Sequence, residues 1–222
     1  MEFSQLLPLL IEGTIETLYM VVIATGISYA LGIPIGILLY ISDEKGLCEN
    51  KKLNNTLGTI VNFLRAVPFI ILLIAIMPFT KLVVGTNIGI NAVIVPLVVS
   101  ASPFVGRMVE ASLQEVNAGV IEAAEAMGSS PFQIITKVLL PEAKPSLING
   151  ATITTTTILA YSAMAGFTGG GGLGSIAVNY GYYRYEDGIM FITVIFLVVI
   201  VQIFQEIGIR TIRRTDKRIR NN

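Results

Sequence analysis

Histidine is absent from this chain of 222 residues, and cysteine occurs once, as Cys48. Without histidine, catalysis by a histidine base and metal sites with imidazole ligands are excluded. A single cysteine rules out an intrachain disulfide and gives no sign of a metal cluster. We therefore predict no metal site and no cofactor bound by the chain itself, and we expect no nucleic-acid partner.

Charged residues are also scarce, at 14% of the chain, whereas 53% of the residues are hydrophobic and the mean hydropathy is +0.74. This composition is typical of a membrane protein rather than of a soluble domain. The first seventeen residues hold three glutamates and no lysine or arginine. They lack the positive region of a signal peptide, so we expect no cleaved leader.

Five stretches are long and apolar enough to cross a bilayer, which takes about 20 residues each. They cover about residues 17–42, 57–80, 85–110, 147–167 and 188–209. An odd number of spans places the two termini on opposite sides of the membrane. We predict an all-α integral membrane protein, a single transmembrane domain over residues 1–222, with a loop of about 115–144 between the third and fourth spans.

Basic residues concentrate on one side of this predicted topology, which the positive-inside rule identifies as the cytoplasm. They are Lys45, Lys51 and Lys52 in the first loop, Lys137 and Lys144 in the 115–144 loop, and Arg210, Arg213, Arg214, Lys217, Arg218 and Arg220 in the tail. The other side offers only Lys81 and Arg184. We predict an outside N-terminus and a cytoplasmic C-terminus, with the basic tail mainly a topology anchor near anionic lipid.

The most informative soluble stretch is Glu122–Pro141, which the pattern predicts to be two short helices joined by a glycine turn. Gly128 stands where a helix end needs a left-handed residue. Ser130–Gln133 has the arrangement of a capping box with proline in the first helical position. Pro141 is expected to end the second helix.

Charge and periodicity suggest what this loop contacts. Acidic residues crowd its first half, and only Lys137 and Lys144 are basic, which argues against anionic lipid and favours a protein groove. An amphipathic hairpin lying on the lipid interface remains the alternative. Helical spacing predicts two shared faces: Val120, Ala124 and Met127 on the first helix, and Phe132, Ile135 and Leu139 on the second.

The fourth predicted span carries the polar run Thr154–Thr157, followed by Tyr161, Ser162 and Met164. Threonines in a membrane helix bind neighbouring helices, or they line a mildly polar path for a solute. A flexible thioether near the end of the span could plug a narrow path. On the second interpretation the translocation path or gate contains Thr156, Tyr161, Ser162 and Met164.

Two further features are interpreted as structural. Arg107 and Glu110 are spaced for an i,i+3 ion pair near a span end. Gly169–Gly174 contains a formal G-x-G-x-x-G, but it follows a membrane helix and lacks a downstream Gly-Lys-Ser/Thr. It therefore fails the context test for a nucleotide site, and we interpret it as an extracellular turn that folds back on the helices.

The loop pattern resembles the cytoplasmic loop of ABC-importer permeases. Glu122-Ala123-Ala124 opens the pattern, Gly128 follows four residues after Ala124, and Leu140-Pro141 closes it. Val138 stands where that family more often has isoleucine. Further stretches are similar to the methionine-importer permeases among the type I ABC importers: Phe63–Leu73, Gly85–Gly89, Pro103–Glu110 and Tyr161–Met164.

The resemblance implies a homodimeric channel in the bacterial plasma membrane, two cytoplasmic ABC ATPase subunits and an extracytoplasmic substrate-binding lipoprotein. It implies import of methionine, in the L or D form, and of close derivatives by alternating access. The chain has no phosphate loop, so it is not itself an enzyme, and ATP and magnesium belong to the ATPase. The residues implied in ATPase coupling are Glu122, Ala123, Ala124, Met127, Gly128, Phe132, Leu140 and Pro141.

Two alternatives stay open. One is an ABC permease for another small solute, either a different amino acid or an anion, because the spans show no preference for a side chain. The other is a secondary transporter or channel that works alone. The sparse charge within the spans argues against that second class, since ion-coupled carriers usually keep acidic groups at mid-depth.

Overall fold

The computed structural model describes residues 3–44 and 46–215, with side chains from Leu6 onward; Lys45, Lys217, Arg218 and Arg220 lie outside the described residues. The described residues are largely helical and contain no strand. The α-helices are α1 (Phe3–Ser42), α2 (Lys51–Ala66), α3 (Phe69–Ala75), α4 (Met77–Val84), α5 (Ile90–Gln114), α6 (Ala118–Ala126), α7 (Pro131–Ile134), α8 (Leu140–Glu142), α9 (Lys144–Met164), α10 (Gly172–Ile176) and α11 (Asp187–Thr215). A 3₁₀ turn covers Ala165–Thr168, and π-helical turns cover Ile135–Leu139 and Ala177–Tyr182.

Three of the described helices are long and apolar enough to cross a membrane: Leu6–Ser42 within α1, α5 and α11. The pair α2 and α3 would add a fourth crossing as one broken span. Helix α9 has the length but not the apolarity, because its threonine run lowers the hydropathy. The first predicted span, 17–42, lies within α1, which begins earlier and carries Glu12 and Glu16 in the same continuous helix.

The second predicted span, 57–80, is not one helix. Helices α2 and α3 meet at an angle of 100° around Pro68. A proline disfavours helical geometry in the residue before it, so the helix ends ahead of Pro68. The Pro68 carbonyl then accepts hydrogen bonds from the amides of Ile71 and Leu72, both at 3.0 Å, which begins α3.

The chain divides into two compact units. The first comprises Met1–Ser28, Val67–Ala101 and Thr154–Glu206. Its apolar core is built from α1, α3, α5, α9, the α10 region and α11, with Met20, Leu97, Ile158 and Leu173 almost fully buried. Burying these large side chains requires close packing between the helices. That packing holds the end of α9 against the neighbouring helices.

The second unit comprises Tyr29–Ala66, Ser102–Ile153 and Ile207–Asn222. Within it α1 and α5 approach closely at two glycines of α1. A Cβ atom at Gly32 would lie 2.5 Å from the Cβ of Val105, and one at Gly36 would lie 2.6 Å from the Cβ of Val109. Small residues permit such contact between membrane helices. A second apolar cluster joins α5 to the Glu122–Pro141 region.

Candidate functional site

The first half of the helix–glycine–helix segment, α6 and its turn, has the predicted geometry. The Asn117 side chain accepts a hydrogen bond from the Gly119 amide at 2.8 Å and begins α6. Gly128 has φ +78°, which confirms the predicted left-handed residue. The Ser129 amide donates to the Ala124 carbonyl and the Gly128 amide donates to the Glu125 carbonyl. These two bonds form a Schellman motif, which satisfies the last carbonyls of the helix.

The predicted capping box is also confirmed. The Ser130 amide donates to Oε1 of Gln133 at 2.9 Å, and the Gln133 amide donates to Oγ of Ser130 at 3.4 Å. Pro131 occupies the first turn, where its missing N–H costs nothing. The turn and the start of the second helix are therefore specified by local sequence.

The prediction that Pro141 ends the second helix is wrong. The chain continues from α7 through the π-helical turn Ile135–Leu139 into α8, which contains Pro141. In a regular α-helix the proline ring would clash with the carbonyl four residues earlier. In the π-helical turn the Leu140 amide donates to the Ile135 carbonyl. This turn is wider than a regular α-helical turn and lies directly before Pro141, so it can accommodate the proline ring.

The extra residue in this turn also changes which side chains share a face. Ile134 and Leu139, five positions apart, are both buried, whereas Phe132 is 74% exposed. The prediction that Phe132 and Leu139 share an apolar face is therefore wrong. On α6 the outcome is similar, because Ala124 is buried and Met127 is 79% exposed.

The residues predicted to couple to an ATPase thus fall into two groups. Ala124 is buried in the core of the segment and Leu140 is half-buried. The others are exposed: Glu122, Ala123, Met127, Gly128, Phe132 and Pro141. Two large apolar side chains, Met127 and Phe132, lie exposed on either side of the glycine turn. Exposed apolar side chains of this kind are typical of a surface that contacts another protein.

The predicted pair of Arg107 and Glu110 is confirmed. Nη1 of Arg107 lies 2.7 Å from Oε2 of Glu110, whose side chain is 10% exposed. Nη2 of Arg107 donates to the Gly58 carbonyl at 3.3 Å. One guanidinium therefore ties α5 to α2 within the second unit, a role that its planar set of donors suits.

The candidate gate lies in the first unit, at the end of α9. Ser162 is buried and donates to the Leu159 carbonyl at 2.8 Å. The Tyr161 ring stacks on Phe69 with 4.6 Å between centroids and an interplanar angle of 3°. Met164 is 46% exposed, and Thr156 is half-buried. Tyr161 and Ser162 are thus held in place, while the thioether of Met164 is accessible.

Phe69 is the gate-region residue that sequence reasoning missed. It follows the Pro68 break, and its ring position depends on how α3 packs against α9, which no local pattern encodes. Its only sequence signal is an aromatic residue directly after a proline within an apolar stretch. That signal does not identify Tyr161 as its partner, because 92 positions separate them along the chain.

The glycine-rich stretch after α9 folds back on the helices, as predicted. The Gly172 amide donates to Oε2 of Glu16 at 2.6 Å, and the Leu173 amide donates to Oγ1 of Thr17 at 2.9 Å. Both acceptors belong to α1. Over the described residues there is also no group of three or more His, Cys, Asp or Glu side chains that could hold a metal ion.

Similarity to curated proteins covers nearly the whole chain. The chain is 54% identical over 210 residues to the probable D-methionine transport system permease protein MetI of Vibrio cholerae, covering 95% of this chain and 93% of that protein. It is 51% identical over 158 residues to the D-methionine transport system permease protein MetI of Escherichia coli K12, covering 71% of this chain and 73% of that protein.

Solved structures and a family match agree with this. A chain from inward-facing conformations of the MetNI methionine ABC transporter superposes with a TM-score of 0.96 at 46% identity, over 98% of this chain and all of that one. An amino acid ABC transporter solved with histidines, at 21% identity and a TM-score of 0.78, shares the fold. Residues 32–215 match the family described as binding-protein-dependent transport system inner membrane component. The chain therefore belongs to the family of inner-membrane components of binding-protein-dependent transport systems.

Proposed function

We propose that this chain is the permease subunit of an ATP-driven importer that carries methionine, in the L or D form, and close derivatives across the bacterial plasma membrane. Relatives at 54% and 51% identity are named as D-methionine permeases, and they align over most of this chain. The methionine transporter chain that superposes at a TM-score of 0.96 supports the same substrate.

The observation that carries the proposal is the exposed turn between α6 and α7. Its backbone is held by the Schellman motif and the capping box, while Met127 and Phe132 remain exposed. A rigid turn with two exposed apolar side chains suits a hydrophobic groove on a partner. We assign Met127 and Phe132 to the groove and Glu122 to basic groups at its rim, so that ATP-driven closure of the partner moves this segment.

The assembly we propose has two copies of this chain, two cytoplasmic ABC ATPase subunits that hold ATP and magnesium, and an extracytoplasmic substrate-binding lipoprotein. Each copy crosses the membrane five times, with α9 as the crossing of lowest hydropathy and with the N-terminus outside. Lys51 and Lys52 at the start of α2 and Arg210, Arg213 and Arg214 at the end of α11 support this orientation.

At the end of α9 we propose a gate in which Met164 narrows the path and Tyr161 and Ser162 fix its base. The accessible thioether can change rotamer without disturbing the packed residues beside it. Thr156, two turns earlier on α9, adds a mildly polar lining. Replacing Met164 with alanine is then expected to raise ATPase activity in the absence of the lipoprotein and to lower uptake per ATP.

Reconstitution tests the proposed function directly. The chain is co-expressed with its ATPase and lipoprotein, placed in proteoliposomes, and assayed for uptake of radiolabelled L-methionine and D-methionine. We expect uptake that requires both ATP and the lipoprotein. Uptake by the chain without ATPase would instead identify a secondary transporter, and uptake of another amino acid or an anion but not of methionine would identify a different importer.

A further inference from the structure

Two consecutive residues of α1 bind two consecutive amides of the segment Gly169–Tyr182. Oε2 of Glu16 accepts from the Gly172 amide at 2.6 Å, a short hydrogen bond of the kind that a charged acceptor makes. Oγ1 of Thr17 accepts from the Leu173 amide at 2.9 Å and donates to the Gly13 carbonyl at 2.8 Å. The threonine proton is thereby committed to its own helix, which leaves the oxygen lone pairs for Leu173.

The segment depends on these contacts because its own sequence supports little structure. Gly171 and Gly172 have φ values of +80° and +69°, and glycine loses more conformational freedom on ordering than other residues do. Helix α10 and the π-helical turn that continues it cover only residues 172–182, which is short for a helix that must be stable alone. The first amides of any helix lack partners within it, and here Glu16 and Thr17 supply them.

The segment Gly169–Tyr182 also packs directly against the backbone of the candidate gate. A Cβ atom at Gly174 would overlap the backbone of Ala163, and one at Gly166 would overlap the backbone of Gly174. Ala163 lies between Ser162 and Met164, so the segment is in contact with the chain at the gate itself. A shift of Gly174 would remove the contact between this segment and the backbone of α9 at Ala163.

We infer that Glu16 and Thr17 are positioning residues for the gate: through Gly172 and Leu173 they hold Gly169–Tyr182 against the end of α9. The inference rests on the proposed function, since it assigns a role within the transport cycle. Without these contacts the segment separates from α9, the gate residues lose their support, and ATP hydrolysis continues with less substrate moved.

The experiment compares matched pairs in the complete transporter in proteoliposomes. Glu16→Ala removes one acceptor, and Glu12→Ala removes an exposed carboxylate one turn earlier on the same helix. Thr17→Val removes the other acceptor, and Thr14→Val removes a hydroxyl that donates to the Leu10 carbonyl of its own helix. Glu16→Gln, which keeps an acceptor oxygen, is the rescue variant.

Two readouts are measured for each variant: hydrogen–deuterium exchange of a peptide containing Gly172 and Leu173, and methionine taken up per ATP hydrolysed. For Glu16→Ala we expect exchange faster by about 10-fold or more, as for loss of a charge-assisted hydrogen bond, and a several-fold lower uptake per ATP. Thr17→Val should show the same direction with a smaller effect, and Glu12→Ala, Thr14→Val and Glu16→Gln should resemble the unmodified protein.

Unchanged exchange or an unchanged uptake ratio in Glu16→Ala would overturn the inference, as would an equal loss in Glu12→Ala. The unmodified transporter in the same assay separates this failure from a failure of the proposed function. If the unmodified complex takes up no methionine, the proposed substrate is wrong. If it transports and Glu16→Ala transports equally well, only the positioning role is wrong.

Discussion

At the residue scale, Gly128 is a position where conformation alone decides which side chain is tolerated. Its φ is +78°, and a Cβ atom there would meet nothing within 4 Å. We expect Gly128→Val to cost about 1–3 kcal/mol of local strain, because a β-branched residue resists a left-handed backbone. Uptake per ATP should fall while methionine binding to the lipoprotein is unchanged. Gly128→Asn is the control, since asparagine tolerates this geometry; equal uptake by both variants would contradict the assigned turn.

The guanidinium of Arg107 is the second residue whose loss has a defined expected cost. Arg107→Ala leaves the carboxyl group of Glu110, whose side chain is 10% exposed, without its ion-pair partner. We expect the free energy of unfolding to fall by about 2–3 kcal/mol, somewhat below the value for a fully buried pair, because Arg107 is 26% exposed. Thermal unfolding of the purified protein in detergent measures the change.

A double variant and a surface pair serve as controls for Arg107. Adding Glu110→Ala to Arg107→Ala removes the buried carboxyl group that has lost its partner. The double variant should therefore be more stable than Arg107→Ala alone. The exposed pair of Lys51 and Glu44, at 2.8 Å, should contribute under about 1 kcal/mol, so Lys51→Ala should barely shift unfolding. A double variant that is less stable than Arg107→Ala would show that the pair is not the source of the effect.

At the scale of the element, stability and the proposed coupling should depend on different side chains of the helix–glycine–helix segment. Ile134 is buried in the core of the helix–glycine–helix segment, and Phe132, two positions earlier, is exposed. We expect Ile134→Ala to lower the free energy of unfolding by about 2–5 kcal/mol, as for other buried aliphatic side chains. Phe132→Ala should change stability by under about 0.5 kcal/mol.

The proposed coupling to the ATPase should depend on the exposed Phe132, although stability depends on the buried Ile134. Because Phe132 is assigned to the ATPase groove, Phe132→Ala should weaken retention of the ATPase subunit on the purified complex and lower uptake per ATP. Size-exclusion chromatography with quantification of both subunits measures the retention. A Phe132→Ala variant that binds ATPase normally but unfolds early would reverse the assignment and restore the face predicted from regular helical spacing.

At the scale of the whole molecule, the single cysteine reports the proposed topology. Cys48 is exposed in the loop between α1 and α2, which the proposal places in the cytoplasm. An impermeant maleimide should therefore leave Cys48 unlabelled in intact spheroplasts and label it after permeabilisation. In a Cys48→Ser background, Asn179→Cys should be labelled without permeabilisation. The reverse pattern for both sites would mean that the chain is inserted the other way round.

Local features of the candidate site were predictable because a few adjacent residues decide them. The left-handed Gly128 and the capping box of Ser130 and Gln133 form as predicted, since each needs only bonds within one helix turn. The buried spacing of Ile134 and Leu139 was not predictable from a regular helix. It follows from the extra residue in the π-helical turn.

Long-range contacts could not be predicted from the sequence, for a different reason. The stack of Phe69 on Tyr161 and the bond from Gly172 to Glu16 join positions far apart along the chain. Neither residue type nor spacing identifies such partners, because the close packing of helices decides which side chains meet. The five predicted spans likewise left α2 and α3 as one stretch, although they meet at 100°.

By itself the sequence determined the membrane class, the absence of a phosphate loop, the family resemblance and the helix–glycine–helix segment. Hydropathy, residue inventory and local hydrogen bonding need only neighbours in sequence to act. Tertiary structure alone decided that Ala124 and Leu139 are buried while Met127 and Phe132 are exposed, and that Glu16 and Thr17 bind the segment after α9. Burial and long-range hydrogen bonds depend on where other helices pack, and that arrangement exists only once the whole chain has folded.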